Sequence, residues 1–548
     1  MAIFEHLNSI SGRLEMADII SGFLASVDES ELSLVLLHLQ GRVFPPWSEK
    51  ELGIAESIMI KGLESVSGTS EAKIKGVFRK TGDLGLSSAE ILVSKAQTTL
   101  YSEKLTLHKV QGNIEKMAQL SGKGSQDRKL AYLTELLSMA FPLESKYIVR
   151  LILGQLRLGV GPGIIRDAIS GAYGVDPLLV EAAFNLTNDF GEVAKIAKDS
   201  GDEGLKGVSL RPGYPVKVML AQKTEGISKA LSDIGNVCFE VKYDGMRVQI
   251  HKISEDINLF TRRLENVSAQ FPEIVNYARK NLKADSVIVE GEVVAIKSAH
   301  DRSPRPFQDL SRRIKRKYEI EKMVKNIPCE INLFDVLYVG GQSKLDTPFS
   351  DRRRLLSEIV EENDFFKLAK QLVCRDEKVI AAFYEEALKS GHEGIMAKNL
   401  DAPYKAGSRV GYMYKIKPVM ESLDLVITGA SWGEGRRAHW LASFLLSALD
   451  QKTGQLVSIG RMATGLTDEQ FGEMTERLKP LITSQKGTEV ELKPEVVVEV
   501  AYEEIQRSPT YDSGFALRFP RLVRIRVDKG VGDIDDVLRV EELLAKDS

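Results

Sequence analysis

Cysteine is scarce in this 548-residue chain: only Cys238, Cys329 and Cys374 occur, far apart and odd in number. That excludes a disulfide framework and a cysteine-rich zinc module, and it fits a reducing cytoplasm. Long apolar runs are missing too, since none approaches the ~20 residues that a membrane helix needs. An excess of one charge is missing, with 74 basic and 77 acidic side chains and a formal net charge of −3. Near-neutrality does not exclude nucleic acid, because a local basic face binds phosphate on a neutral protein. In the first twenty residues, Glu5, His6 and Arg13 stand where a signal peptide would run uninterrupted, so no secretion is expected. There is no GxxxxGK[ST], and SGKGS at 121–125 lacks its framing, which disfavours P-loop and Rossmann enzymes. Internal repeats, low-complexity tracts and heptad runs are absent as well.

What is present is the balance of a folded protein, 43% hydrophobic and 28% charged, long enough for two to four domains. The first ~200 residues carry helical periodicity, as in ESELSLVLLHLQ and KLAYLTELLSMAF. Two glycine-containing turns interrupt them, GDLGLSSAE at 82–90 and LRLGVGPGIIRDAI at 156–169. The second predicts a helical hairpin whose second helix starts near Gly163, either a packing turn or a helix N-terminus that offers N–H groups to phosphate. Residues 199–215 hold four glycines and two prolines and read as an interdomain linker. Beyond them, period-2 runs such as CFEVKYDGMRVQIHK, SVIVEGEVVAI and INLFDVLYV alternate with helical stretches. Near residue 420 the pattern turns strand-rich, with one helix expected around Asp468–Leu478.

The most informative segment is FEVKYDGMR. In a strand, Phe239 and Val241 face a core while Glu240 and Lys242 share the opposite face. Asp244-Gly245 predicts a hairpin turn, with Arg247 returning beside Lys242. Alone, such a charged hairpin is commonplace.

Further segments follow in order. TRRLENVSAQFPEI carries Arg262, VIVEGEVVAI carries Glu292, and NLFDVLY carries Phe334. HEGIMAK carries Glu393 and Lys398, and Arg409 precedes YKIKP with Lys415 and Lys417. The chain closes with VEVAYEEIQRSPTYDSGFALRFPRLVRIRVDKG. In these motifs the sequence resembles the ATP-dependent DNA ligases of the archaeal type, within the covalent nucleotidyltransferase superfamily. GRVFPPWSEKELGIAE and RLILGQLRLGVG extend the likeness into the helical third, so that it covers nearly the whole chain.

The resemblance implies a multidomain α+β fold. An all-α DNA-binding domain is expected over 1–208, an α/β adenylation domain over 209–420 and a C-terminal OB-fold β-barrel over 421–548. It implies sealing of 5′-phosphate/3′-hydroxyl nicks in duplex DNA through a lysine–AMP and a DNA-adenylate. Lys242 is the implied nucleophile, which must be neutral; Arg247, Lys415, Lys417 and Mg²⁺ would favour its amine. Glu240, Arg247, Arg262, Glu292, Phe334, Arg409 and Lys415 would hold ATP, with Phe334 stacking on adenine. Glu292 and Glu393 would contact Mg²⁺. The basic run 300–322 and the WGEGRR turn at 432–437 are candidate DNA contacts. Gln97–Tyr101 faintly resembles a sliding-clamp peptide, and a cytoplasmic monomer is expected.

The competing readings are an RNA ligase or capping guanylyltransferase, an NAD-dependent ligase, and a non-catalytic DNA-binding or clamp-associated protein. The helical third counts against the first pair. The NAD-dependent kind would carry a four-cysteine zinc site, and the intact Lys242 motif set counts against the last.

Overall fold

Several helices begin in this chain where a capping residue takes up free N–H groups. Asp176 accepts from the Leu178 N–H at 2.8 Å, and Pro177 opens helix Pro177–Thr187. Asp189 then caps Gly191 and Glu192 at the head of helix Phe190–Lys206. Asp83 does the same for helix Leu84–Ile91, so that the expected turn at 82–90 is mostly helix behind a cap. The helix after the glycine-rich segment runs Pro162–Tyr173, one residue ahead of the expected start. In a computed structural model of the chain, residues 1–94, 104–156, 158–314, 316, 318–418, 420–433 and 437–546 are described. They form two compact units, Met1–Ile416 and Lys417–Ser548.

In the first unit the helical region packs around two cores. One gathers Leu7, Ile20, Leu36, Ile165 and Phe190; the other gathers Leu63, Leu133, Leu137 and Val149. Among the described residues, eleven strands follow. They are β1 (Gln222–Lys223), β2 (Val237–Lys242), β3 (Met246–Ile253), β4 (Asp256–Thr261), β5 (Ser286–Ala295), β6 (Cys329–Val339), β7 (Gln342–Ser343), β8 (Phe366–Leu368), β9 (Gln371–Leu372), β10 (Gly394–Asn399) and β11 (Met413–Ile416). One sheet has the order β1-β11-β10-β2-β9; the other runs β4-β3-β5-β6-β7, with β8 on β6. Met246, Val248 and Ile250 of β3 and Val287, Val289 and Val293 of β5 bury one face of the second sheet. The alternate residues, Arg247, Gln249, Glu290 and Glu292, make its other face polar.

Residues 199–215 are not a free linker. Helix Phe190–Lys206 takes up their first half, kinked at Gly201. The chain that follows is pinned along β3 by three alternate side chains. His251 Nδ1 accepts from the Gly213 N–H at 3.0 Å. Gln249 exchanges two 2.9 Å hydrogen bonds with the Val216 backbone, and Arg247 donates to the Met219 carbonyl at 3.0 Å.

Burial depresses the His251 pKa to about 3, so the folded ring stays neutral. In the unfolded chain it takes up a proton near pH 6.5, so folding stability from this group falls as pH drops from about 6.5 toward 3. At pH 5 the expected loss is about 2 kcal/mol. Urea denaturation at pH 7 and pH 5 measures it against His251→Asn, which keeps an acceptor without titrating. Equal losses in the two proteins would refute the assignment.

The second unit adds β12 (Leu423–Trp432), β13 (Leu441–Asp450), β14 (Gln455–Met462), β15 (Ile482–Lys486), β16 (Glu489–Leu492), β17 (Val497–Ala501), β18 (Glu504–Arg507), β19 (Phe515–Arg518) and β20 (Arg521–Ile525). Helix Asp468–Leu478 forms where the sequence predicts, behind a Thr467/Gln470 capping box, and a second helix that the sequence reading did not expect, Val537–Lys546, follows near the end of the unit. The strand-rich C-terminal unit matches expectation; the closed barrel does not. The sheet is open, in the order β14-β13-β12-β16-β15, with β17 joining β12 to β20. The end of β14 approaches β20 through the single bridge Thr464–Arg521, and the Leu522 N–H donates to the Thr464 carbonyl at 3.1 Å. Gly465 packs there with φ +88°, and a Cβ on it would lie 2.7 Å from the Leu522 nitrogen. A glycine turn, rather than a hydrogen-bonded ladder, makes this contact.

Candidate active site

The cleft begins where β2 ends. Both edges of β2 are taken, by β10 and β9, and both edges of β3 by β4 and β5. Asp244-Gly245 is therefore no hairpin: it carries the chain from one sheet to the other. A Cβ on Gly245 would meet the Val293 carbonyl oxygen at 2.4 Å, so this crossing requires glycine. The Asp244 carboxylate accepts from the Phe307 N–H at 3.2 Å.

Alternation along β2 puts Glu240 and Lys242 on one face, as the sequence implies, but their settings differ. Lys242 ends the strand, and its Nζ lies 2.5 Å from Glu393 Oε2. Glu240 is 2% exposed, and its Oε2 lies 2.5 Å from Lys398 Nζ. Gln371 Nε2 donates to Glu240 Oε1 at 3.0 Å.

Across the cleft, Arg247 stands opposite Glu292 in the β3–β5 register. Its guanidinium donates to Glu290 Oε2 at 2.6 Å and meets the Tyr404 hydroxyl at 3.3 Å. Burial works to lower the Arg247 pKa, but Glu290 and Tyr404 outweigh it and hold the group above its ordinary value. Its Nε–H is buried and has no partner among the described residues. Burial, with Glu393 and Asp244 adding to it, pushes the Glu292 carboxyl up to about 8, against the pull of Lys242 and Arg247.

Phe334 sits at a β-bulge. The β5–β6 pairing jumps from Gly291–Leu333 to Glu290–Asp335 and leaves Phe334 unpaired. A bulge re-aims the extra side chain. Here the ring centroid lies 4.5 Å from Lys398 Nζ and 5.3 Å from the Arg247 guanidinium carbon, joining the two walls of the cleft.

The remaining expected residues are looser. Lys415 lies on β11 opposite Met396. Arg409 is exposed in the loop before β11, and Arg262 is exposed in the turn after β4. Lys417 belongs to the second unit, 3.7 Å from Glu503. The basic run at 300–322 is divided: Arg312, Arg316 and Lys322 are exposed, while three arginines are committed to partners within the fold. Arg302 pairs with Glu330, Arg305 with Asp309, and fully buried Arg313 with Glu273. Lys315, Lys317, residues 434–436 and Gln97–Tyr101 lie outside the described residues. Sequence reasoning missed Glu290, Gln371 and Tyr404. The period-2 run VIVEGEVVAI puts Glu290 on the face of Glu292, a signal for the first; Gln371 and Tyr404 had none.

Three family models match the chain. "DNA ligase N terminus" covers residues 1–170, "ATP dependent DNA ligase domain" 218–417 and "ATP dependent DNA ligase C terminal region" 437–529. The chain is 49% identical to the DNA ligase of Thermococcus fumicolans over 96% of its own length and 94% of that protein. It is 46% identical to the DNA ligase of Archaeoglobus fulgidus over 98% and 96%. The solved structure "Pmar-Lig_PreS3" shares the fold, with a TM-score of 0.56 at 17% identity over 96% of this chain and 98% of that one. Fold, cleft and relatives together define an enzyme that joins DNA ends. The chain belongs to the ATP-dependent DNA ligase family, whose general activity is the sealing of nicks.

Proposed function

We propose that Lys242 is the nucleophile, attacking the α-phosphorus of ATP so that pyrophosphate leaves and AMP stays on Nζ. The AMP then passes to the 5′-phosphate of a nick, and the 3′-hydroxyl displaces it. The observation that carries this reading is the placement of Lys242 at the cleft mouth, in contact with Glu393 and facing Arg247 and Glu292. The amine must shed a proton before attack. Glu393 is the carboxylate in contact to receive it.

Phe334 offers a stacking face to adenine, and Glu240 accepts from its 6-amino group. The unspent Nε–H of Arg247, with Arg262 and Glu292, serves ribose or phosphate. Arg409 and Lys415 serve the phosphates. A nucleotide site of this kind places charge-stabilising groups around the transferring phosphorus.

The residues fit Mg²⁺. Among the described residues no group of three metal-binding side chains converges, as in a dedicated metal cage. Mg²⁺ instead takes one or two carboxylates beside phosphate oxygens and water. Glu292 and Glu393 are that pair, and their crowding with Asp244 is what a cation relieves. Bound there, the metal would supply charge neutralisation at the triphosphate.

We retain the division 1–208, 209–420 and 421–548 as the working domain plan. A sliding clamp is the proposed partner and the cytoplasm the proposed compartment, the latter supported by three free cysteines. A monomer is the proposed state. Intact mass after incubation with ATP tests the reading: one AMP added, on the peptide that carries Lys242.

A further inference from the structure

We infer that Tyr404 is a positioning residue for Arg247: by sharing Glu290 with it, Tyr404 holds the cleft's arginine in a one-point pairing that leaves N–H groups for the nucleotide. The inference rests on the nucleotide reading above and goes beyond it by naming what holds the arginine ready.

A guanidinium and a carboxylate favour two parallel hydrogen bonds, one to each oxygen. Here the Glu290 carboxylate is fully buried and its oxygens are divided. Oε1 takes the Gln249 amide at 3.1 Å, while Oε2 takes both Arg247 Nη2 at 2.6 Å and the Tyr404 hydroxyl at 3.0 Å. Arg247 is therefore held at one oxygen. Its Nη1 donates to the Met219 carbonyl at 3.0 Å, and its side chain stays 20% exposed. A cation held in this way is fixed in place without being used up.

Tyr404 comes to this pairing from the chain between β10 and β11, in the other sheet. Its ring is buried with Val216, Met219, Ile288 and Met413, and its backbone N–H donates to the Leu345 carbonyl at 2.6 Å. A phenol has one proton to give and two lone pairs to receive. All three are spent: the proton on Glu290, the lone pairs on the Met219 N–H at 2.9 Å and on Arg247 Nη2 at 3.3 Å. Burial, with Glu290 beside it, pushes the hydroxyl well above its ordinary pKa, so it remains a donor. Without the hydroxyl, Glu290 Oε2 has a vacant lone pair that Arg247 is placed to take, and the guanidinium turns onto the carboxylate. The Met219 N–H loses its acceptor as well, which loosens the residue whose carbonyl holds Nη1. Two of the three anchors of Arg247 thus pass through one hydroxyl.

The test follows AMP attachment to Lys242 by intact mass in the full-length protein over a range of ATP concentrations, so that kcat and KM separate. Tyr404→Phe keeps the ring and its packing. It is expected to raise KM for ATP about tenfold, the scale of one buried hydrogen-bond partner lost, and to change kcat by less than about threefold. In an Arg247→Lys background there is no fork to misalign, and the same change is expected to move KM by less than about twofold. Glu290→Gln keeps an acceptor for Tyr404 but not the charge that holds Arg247. It is expected to give the same pattern and carries the test in both backgrounds if Tyr404→Phe fails to fold. Three results would overturn the proposal. One is an unchanged KM in folded Tyr404→Phe. Another is the full rise persisting beside Arg247→Lys, the mark of a purely structural role. The third is an unchanged KM in Arg247→Lys itself. Failure of unchanged protein to attach AMP from ATP at Lys242 would instead refute the nucleotide reading.

Discussion

Lys242→Ala is expected to abolish AMP attachment and the sealing of an ordinary nick, by at least about 10⁴-fold, the scale on which loss of a covalent nucleophile acts. Lys242→Arg should do the same, because a guanidinium does not give up its proton near neutral pH. Both variants should still seal a nick supplied with a ready-made 5′-adenylate, since that last step needs no lysine nucleophile. The structure makes the contrast clean. Lys242 ends β2 and is partly exposed, while the interior of that strand is held by Phe239 and Val241 in a separate core. Intact mass with ATP reads the first step, and gel assays on the two DNA substrates read the others. An AMP adduct on Lys242→Ala would move the nucleophile elsewhere.

Removing residues 421–548 is expected to slow self-adenylation by about 10²-fold or more, the scale of losing fixed charge at a leaving group. The truncated protein should keep the circular dichroism of the first unit, which is compact by itself and retains Lys415. Charge builds on pyrophosphate as it leaves, and Arg518, Arg521, Arg526 and Lys529 are the cations that the C-terminal motif would supply. Within their own unit, Arg526 and Lys529 both reach Asp424 Oδ2 at 2.7 Å, and Arg518 pairs with Glu504 at 2.9 Å. These pairs would have to be exchanged for the same side chains to engage a triphosphate. Arg526→Ala and Lys529→Ala in the full chain should each reproduce part of the loss. Equal adenylation rates for intact and truncated protein would end this account.

What the sequence made legible is what period and local chemistry encode. Alternation in FEVK put Glu240 and Lys242 on one face, and the helix expected around Asp468–Leu478 forms there. The resemblance of the ordered motifs supplied the family. The sequence misled where a choice of partner strand decides the outcome. Asp244-Gly245 is strong turn chemistry, yet β2 and β3 bond to different neighbours, and nothing local reports that. The facing of Arg247 and Glu292 is a register between β3 and β5, more than thirty residues apart along the chain. The setting of Phe334 depends on a one-residue bulge, and the hydrogen bond of Gln371 to Glu240 on a two-residue strand. Closure of the last sheet failed as an expectation because strand content does not specify which edges meet. Basic residues in 300–322 looked like surface, but Arg313 is wholly buried among the Gln270 and Ile327 carbonyls and Glu273.

The stapling of the connecting chain to β3 bears on where this protein can be cut. The central family match begins at residue 218, which falls inside the stapled stretch. A catalytic fragment started there keeps Met219 for Arg247 but discards Gly213 and Val216. Gln249 would then keep only Glu290 and His251 as partners and His251 Nδ1 would lose its donor, in a sheet that also carries the cleft's arginine. A fragment started ahead of Gly213 carries its own lining. For this chain the useful scissor mark is set by the three side chains on β3 rather than by the edge of the recognisable domain.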